Sequence, residues 1–143
     1  LDSERDWGHA NDYVEGMWRI LQHDKPEDFV LATGITTSIR DFTTYAFSLV
    51  GISLEWSGSG IDEIGKNAQT GEILVTVDPS YFRPTEVELL IGDSTKAREE
   101  LGWRPTCDLK KLILEMISSD LEEARKDKHL LSGGFQTKNL NGD

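Results

Sequence analysis

The chain has 143 residues, with 26 acidic against 15 basic side chains and a formal net charge of -11. Its overall field repels polyanions, which argues against nonspecific binding to nucleic acid or to an anionic membrane and requires any anionic ligand to be small and held by local cations. Hydrophobic residues make up 37% and include four tryptophans, enough for the core of one domain and too many for a compositionally disordered chain. The single cysteine, Cys107, closes no internal disulfide and fits a reducing cytosol, and no apolar run reaches the roughly 18 residues of a membrane span. The sequence opens on Leu1 without a charged-then-apolar leader, and the expectation is a piece of a longer protein.

In HANDYVEGMWRILQHDKP, residues Ala10, Tyr13, Val14, Met17, Trp18 and Leu21 recur at helical spacing and Pro26 closes the pattern, which predicts an amphipathic helix. FVLATG, residues 29–34, is short, apolar and turned by Gly34, as a buried strand would be. TSIRDFTTYAFSLVG offers Ser38 as N-cap, Asp41 in the first turn and Gly51 as a left-handed stop. Its inward stripe is Ile39, Phe42, Ala46, Leu49 and Val50.

SLEW alternates as a strand, SGSGIDEIGKNAQTG reads as a mobile glycine-rich loop, and EILVTVD resumes a strand pattern. A short helix from Asp93 to a stop at Gly102 follows, then a longer one from about Asp108 whose apolar face includes Leu112, Ile113, Met116 and Ile117. Residues 1–128 therefore form the folded portion, and 129–143 read as an irregular tail. Strands alternating with helices give an α/β class. Three short strands make only a modest sheet, so a larger partner layer is expected elsewhere.

Three groups of side chains bear on chemistry. Arg5 lies between Glu4 and Asp6 just before the first helix; it is either one half of a surface ion pair or a phosphate fork held ready by its carboxylate neighbours. Arg83 precedes Pro84 and is followed by Glu86. Proline pushes the residue before it into extended geometry, so Arg83 is aimed by the backbone, toward phosphate with Glu86 on the ribose hydroxyls, or into an Arg–Glu pair that pins a loop. The third group, GDSTKAREELGWRP, reads as scaffold: Asp93 caps, Lys96 and Arg98 face solvent, Leu101 and Trp103 pack. His9, His23 and His129 are too scattered for a metal site. No nucleophile elbow and no G-x-G-x-x-G dinucleotide fingerprint occurs.

ERDWGHANDYVEGMW, FVLATG and VDPSYFRPTEVELLIGDSTKAREELGWRP together resemble the C-terminal portion of the GDP-mannose 4,6-dehydratase family, extended short-chain dehydrogenase/reductases of the NAD(P)-binding Rossmann-fold superfamily. The resemblance implies an α/β substrate-binding portion, incomplete without an upstream Rossmann half, in which residues 29–34 are a late strand of the large sheet. It implies a lyase with bound NADP that oxidises the hexose of GDP-mannose at C4, eliminates water across C5 and C6 and returns the hydride to C6. The product is GDP-4-keto-6-deoxymannose, for GDP-fucose and deoxysugar synthesis. Arg5 and Arg83 would contact the diphosphate and Glu86 the ribose. The family's catalytic and cofactor motifs precede the part present, so the chain alone is expected to be inactive. A cytoplasmic homo-oligomer, dimer or tetramer, without nucleic acid, membrane or metal, completes the expectation. The alternatives are another nucleotide-sugar epimerase or 4-keto reductase of the extended family, and a non-catalytic assembly module.

Overall fold

A computed structural model describes residues 1–82, 87 and 89–135. Arg83, Pro84 and Glu86 lie outside the described residues, as does the segment 136–143. The elements in order are β1 (Glu4–Asp6), α1 (Ala10–Gln22), β2 (Thr36–Ser38), α2 (Ile39–Leu49), β3 (Leu54–Ser57), a 3₁₀ turn (Gly60–Asp62), β4 (Ile64–Asn67), β5 (Ile73–Thr76), β6 (Leu89–Leu90), α3 (Thr95–Glu100) and α4 (Leu109–Ser132).

Two small sheets carry the strands. In the first, β1 is central, antiparallel to β2 with Arg5 opposite Thr37 and parallel to β6 with Arg5 paired to Leu90. In the second, β3, β4 and β5 form an antiparallel meander with an irregularity between Gly65 and Lys66. The helix termini follow from local chemistry. Ser38 Oγ accepts from the Asp41 N–H at 3.0 Å, and the Asp108 carboxylate accepts from the Lys111 N–H at 2.8 Å, each satisfying a donor that the helix leaves orphaned. Gly102, after α3, takes φ +63°, a left-handed turn in which a side chain would be strained.

The core is small, and Trp103 and Ile113 are its largest members. The Trp103 indole N–H donates to the Asp12 carbonyl at 2.6 Å, which draws the chain after α3 against α1. Gly16 makes this approach possible: a Cβ there would lie 2.5 Å from Leu31 Cδ1 and 2.9 Å from Trp103 Nε1. Elsewhere Trp7 stacks on Phe42 of α2 with centroids 4.3 Å apart, and α2 packs against α4.

Four features differ from the sequence reading. Residues 29–34 form no strand, because none of them joins a ladder among the described residues. The stretch expected as a mobile loop contains the 3₁₀ turn and β4. It is ordered because Trp56 lies over Gly65, whose missing Cβ leaves room for the ring, and because Glu63 is bound by Arg40. Residues 129–132 continue α4, which ends only at the Gly133 cap; no helix breaker precedes Gly133, and a Glu122–Lys126 pair at 2.7 Å supports the preceding turn. Finally, Val14, Met17, Trp18 and Leu21 of the α1 stripe face solvent, Tyr13 is half-buried against Trp103, and Asp12 and Gly16 are the residues the helix buries.

Candidate functional site

Arg5 sits in the middle strand of the first sheet. Its Nη1 donates to its neighbour's carbonyl, Glu4 O, at 2.8 Å and to the Val87 carbonyl at 2.9 Å. A guanidinium has five N–H donors in a planar fork, so these bonds fix the fork's plane. They also set the fork beside the chain that leads out of the 83–86 segment. Arg83 and Glu86 themselves lie outside the described residues.

Asp6, the next residue along β1, points into a different set of contacts. Its carboxylate accepts from the Thr33 N–H at 2.9 Å, from the Thr33 hydroxyl, from the Gly34 N–H at 2.8 Å and from the Gly92 N–H at 3.4 Å. Burial pushes its pKa up, and the bonds from Thr33, Gly34 and Gly92 more than reverse this, leaving it below the ordinary carboxylate value. The group joins β1, the 33–34 turn and the chain after β6.

Asp12, in the first turn of α1, performs the same service. It is 8% exposed, and its carboxylate accepts from the Thr106 hydroxyl at 2.7 Å and from the Thr106 and Cys107 N–H groups at 3.1 Å each. Burial again raises its pKa and the three hydrogen bonds, with His9 nearby, bring it below the usual range. His9 caps α1, its Nδ1 accepting from the Asn11 N–H at 3.0 Å, which leaves Nε2 to donate to Glu115 of α4 at 3.0 Å. A second anchor lies on α2, where Arg40 binds Glu63 through Nε at 2.8 Å and Nη2 at 2.6 Å and also binds Asp2. The two carboxylates hold the guanidinium pKa above its ordinary value.

The scaffold role of GDSTKAREELGWRP agrees with Trp103 at 1% exposure and an exposed Arg104. Lys96 departs from it: its ammonium pairs with Glu27 at 2.7 Å, bonds the Asp28 carbonyl and lies 4.6 Å from the centre of the Phe29 ring. Asp6, Asp12 and the Arg40–Glu63 pair were not singled out from the sequence. An acidic residue in the first turn of a helix is a visible signal for Asp12, but it suggests a dipole contact and not a bond to residues 106 and 107.

A cavity of about 240 Å³ opens between Trp7, Thr33 and Thr37 on one side and Pro105–Leu109 on the other. Its lining includes Asp108 and no lysine, arginine or histidine, so it does not suit a diphosphate. No fit to a dinucleotide emerges either. Gly58 and Gly60 lead into the 3₁₀ turn and β4, which presents no α-helix N-terminus to a pyrophosphate. Among the described residues no three His, Cys, Asp or Glu side chains gather as metal ligands would. No described helix is long and apolar enough to cross a membrane.

The architecture matches that of RMD from Pseudomonas aeruginosa, solved in complex with NADPH, with a TM-score of 0.59 and 18% identity over 82% of this chain and 33% of that one. The chain accordingly shares the mixed α/β fold of the matched third of that structure. The family model for GDP-mannose 4,6 dehydratase matches residues 1–116. Proteins bearing that name are 55% identical in Sinorhizobium fredii (strain HH103) over 87% of this chain and 49% identical in Homo sapiens over 87%. The Caenorhabditis elegans GDP-mannose 4,6 dehydratase 2 is 54% identical over 85%. The chain belongs to the GDP-mannose 4,6-dehydratase family and corresponds to its C-terminal portion. It spans 36%, 34% and 31% of the length of the rhizobial, human and nematode relatives, about a third of each.

Proposed function

We propose that these residues are the GDP-binding portion of an NADP-dependent GDP-mannose 4,6-dehydratase, a cytoplasmic lyase that converts GDP-mannose to GDP-4-keto-6-deoxymannose for deoxysugar synthesis. The observation that carries this reading is the bond from the Arg5 guanidinium to the Val87 carbonyl at 2.9 Å. It brings the cation of RDW to Val87, the last residue of the RPTEV motif, and this supports a reading in which Arg5 and Arg83 act on one ligand. Arg5 and Arg83 hold the diphosphate by charge-assisted hydrogen bonds, which contribute about 1.5–3 kcal/mol each. Glu86 accepts from the ribose hydroxyls.

The chain's own residues bind and orient the nucleotide half of the substrate. NADP, when bound in the complete enzyme, takes and returns the hydride, and the residues that cradle it and move protons lie outside this chain. The isolated chain is therefore inactive, and the working enzyme is a homo-oligomer of complete subunits.

GDP titration of the complete enzyme carrying Arg83→Ala tests the assignment. The expected result is at least tenfold weaker binding, equivalent to about 1.4 kcal/mol, with an unchanged melting temperature. Unchanged affinity refutes it.

A further inference from the structure

Strand β6 is too short to fix its own register. It pairs with β1 over two residues, Glu4 with Leu89 and Arg5 with Leu90, and the side chains of Leu89 and Leu90 are 52% and 51% exposed, so neither a long ladder nor apolar packing holds it. A slip of one residue along β1 would carry Val87 about 3.3 Å and turn each side chain to the opposite face. Val87 directly follows Glu86 in the sequence, so any such slip is passed to the residues proposed to meet the nucleotide.

Arg5 and Asp6 hold the two ends of that strand. On the entering side the Arg5 Nη1 donates to the Val87 carbonyl at 2.9 Å, and on the leaving side the Gly92 N–H donates to Asp6 Oδ2 at 3.4 Å. The second bond needs a close approach of the two chains: a Cβ on Gly92 would overlap that of Ala32 and lie 3.2 Å from Val30 Cγ1. The carboxylate is itself fixed. Its Oδ1 accepts from the Thr33 N–H at 2.9 Å and from the Thr33 hydroxyl, while Oδ2 accepts from the Gly34 N–H at 2.8 Å as well as from Gly92. Four donors converge on two oxygens, which suits an ionised carboxylate; an asparagine of the same shape has one oxygen and turns N–H groups toward the other pair of donors. A negative charge beside a cation that is to bind a diphosphate opposes the ligand by simple electrostatics, and these four bonds give the reason for its place there.

We propose that Asp6 is a positioning residue for diphosphate binding: by fastening the 33–34 turn and Gly92 to β1 it locks the register of β6, and so holds Val87, and with it the segment of Arg83 and Glu86, beside Arg5. The inference deepens the nucleotide reading and rests on it. Asp6 itself touches no ligand.

GDP is titrated calorimetrically into the complete, NADP-loaded enzyme at a temperature where circular dichroism shows the variants folded. Asp6→Asn is expected to weaken GDP binding at least fivefold, although the loss of a negative charge alone would tighten it. Gly92→Ala keeps the carboxylate and parts it from the chain after β6; it is expected to weaken GDP at least threefold, and it decides the matter if Asp6→Asn does not fold. The control is Asp12→Asn, a carboxylate with a similar set of donors that serves Thr106 and Cys107 instead. It should lower the melting temperature and leave GDP affinity within twofold. Wild-type or tighter GDP binding in folded Asp6→Asn or Gly92→Ala overturns the inference, and so does an equal loss of affinity in Asp12→Asn, which would mark a general loss of stability. Arg83→Ala separates the two readings. Wild-type affinity there removes the nucleotide reading and this inference with it, whereas a loss there beside unchanged binding in the Asp6 and Gly92 variants overturns this inference alone.

Discussion

Replacing Asp12 by alanine removes the acceptor for three donors at once: the Thr106 hydroxyl at 2.7 Å and the N–H groups of Thr106 and Cys107 at 3.1 Å. Thr106 is exposed, so its hydroxyl turns to water at little cost. The two partly buried N–H groups cannot turn, and a stranded buried donor costs about 1–3 kcal/mol. The expected loss is therefore about 3 kcal/mol, which for a chain of this size lowers the melting temperature by roughly 10 °C. Urea unfolding followed by circular dichroism reads the loss directly. Thr106→Val is the informative companion, because it deletes the hydroxyl bond and keeps both N–H bonds, and should cost only about 1 kcal/mol. In the double variant the Thr106 term should vanish, since the hydroxyl then has no carboxylate to lose. An Asp12→Ala variant within about 0.5 kcal/mol of wild type, the usual range for an uninvolved surface position, refutes the claim that this carboxylate fastens residues 106 and 107 to α1.

Acid should act through the same groups. The pKa values of Asp6 and Asp12 lie below the ordinary value in the folded chain, so their contribution is complete above the unfolded value of about 3.9 and is lost as pH falls through the folded values. The urea midpoint is expected to be flat from pH 7 to about 5 and to drop below about 4, with a shallower drop in Asp12→Ala; a midpoint that rises on acidification contradicts the assignment. Gly16→Ala sets two effects against each other: alanine favours a helix by about 1 kcal/mol, but its Cβ would meet Leu31 at 2.5 Å and the Trp103 indole at 2.9 Å, and overpacking costs about 1–3 kcal/mol. Contact wins because Trp103 is held by its bond to Asp12, so urea unfolding should show a net loss where an open helix site would show a gain.

The helices were legible because their signals are local. Ser38 and Gly51 bound α2 through bonds within a turn of themselves, and Asp108 starts α4 in the same way. The meander was harder to see. Gly65 looks like loop chemistry until Trp56 is placed over it, and Glu63 looks like a surface carboxylate until Arg40 reaches it from α2. Both depend on partners far away in the sequence. Residues 29–34 show the converse: their composition is that of a strand, but a strand also needs a neighbouring strand for its backbone, and among the described residues none pairs with them. Of the candidate site, the sequence pointed to Arg5 and to the segment it meets, while the carboxylates that hold that region together stayed hidden, because a buried acceptor of backbone N–H groups has no sequence pattern of its own.

The dipeptide at Arg5 and Asp6 shows how the two kinds of residue depend on one another. Successive side chains of a strand point to opposite sides, so a single short strand sends the guanidinium toward Val87 and the carboxylate toward Thr33, Gly34 and Gly92. Strand β1 has only three residues, too few for its ladder alone to fix the direction of a long side chain. The rigidity comes from Asp6, which ties the strand to the turn after residue 32 and to the chain leaving β6. The direction of Arg5 therefore depends on the contacts of the single carboxylate beside it.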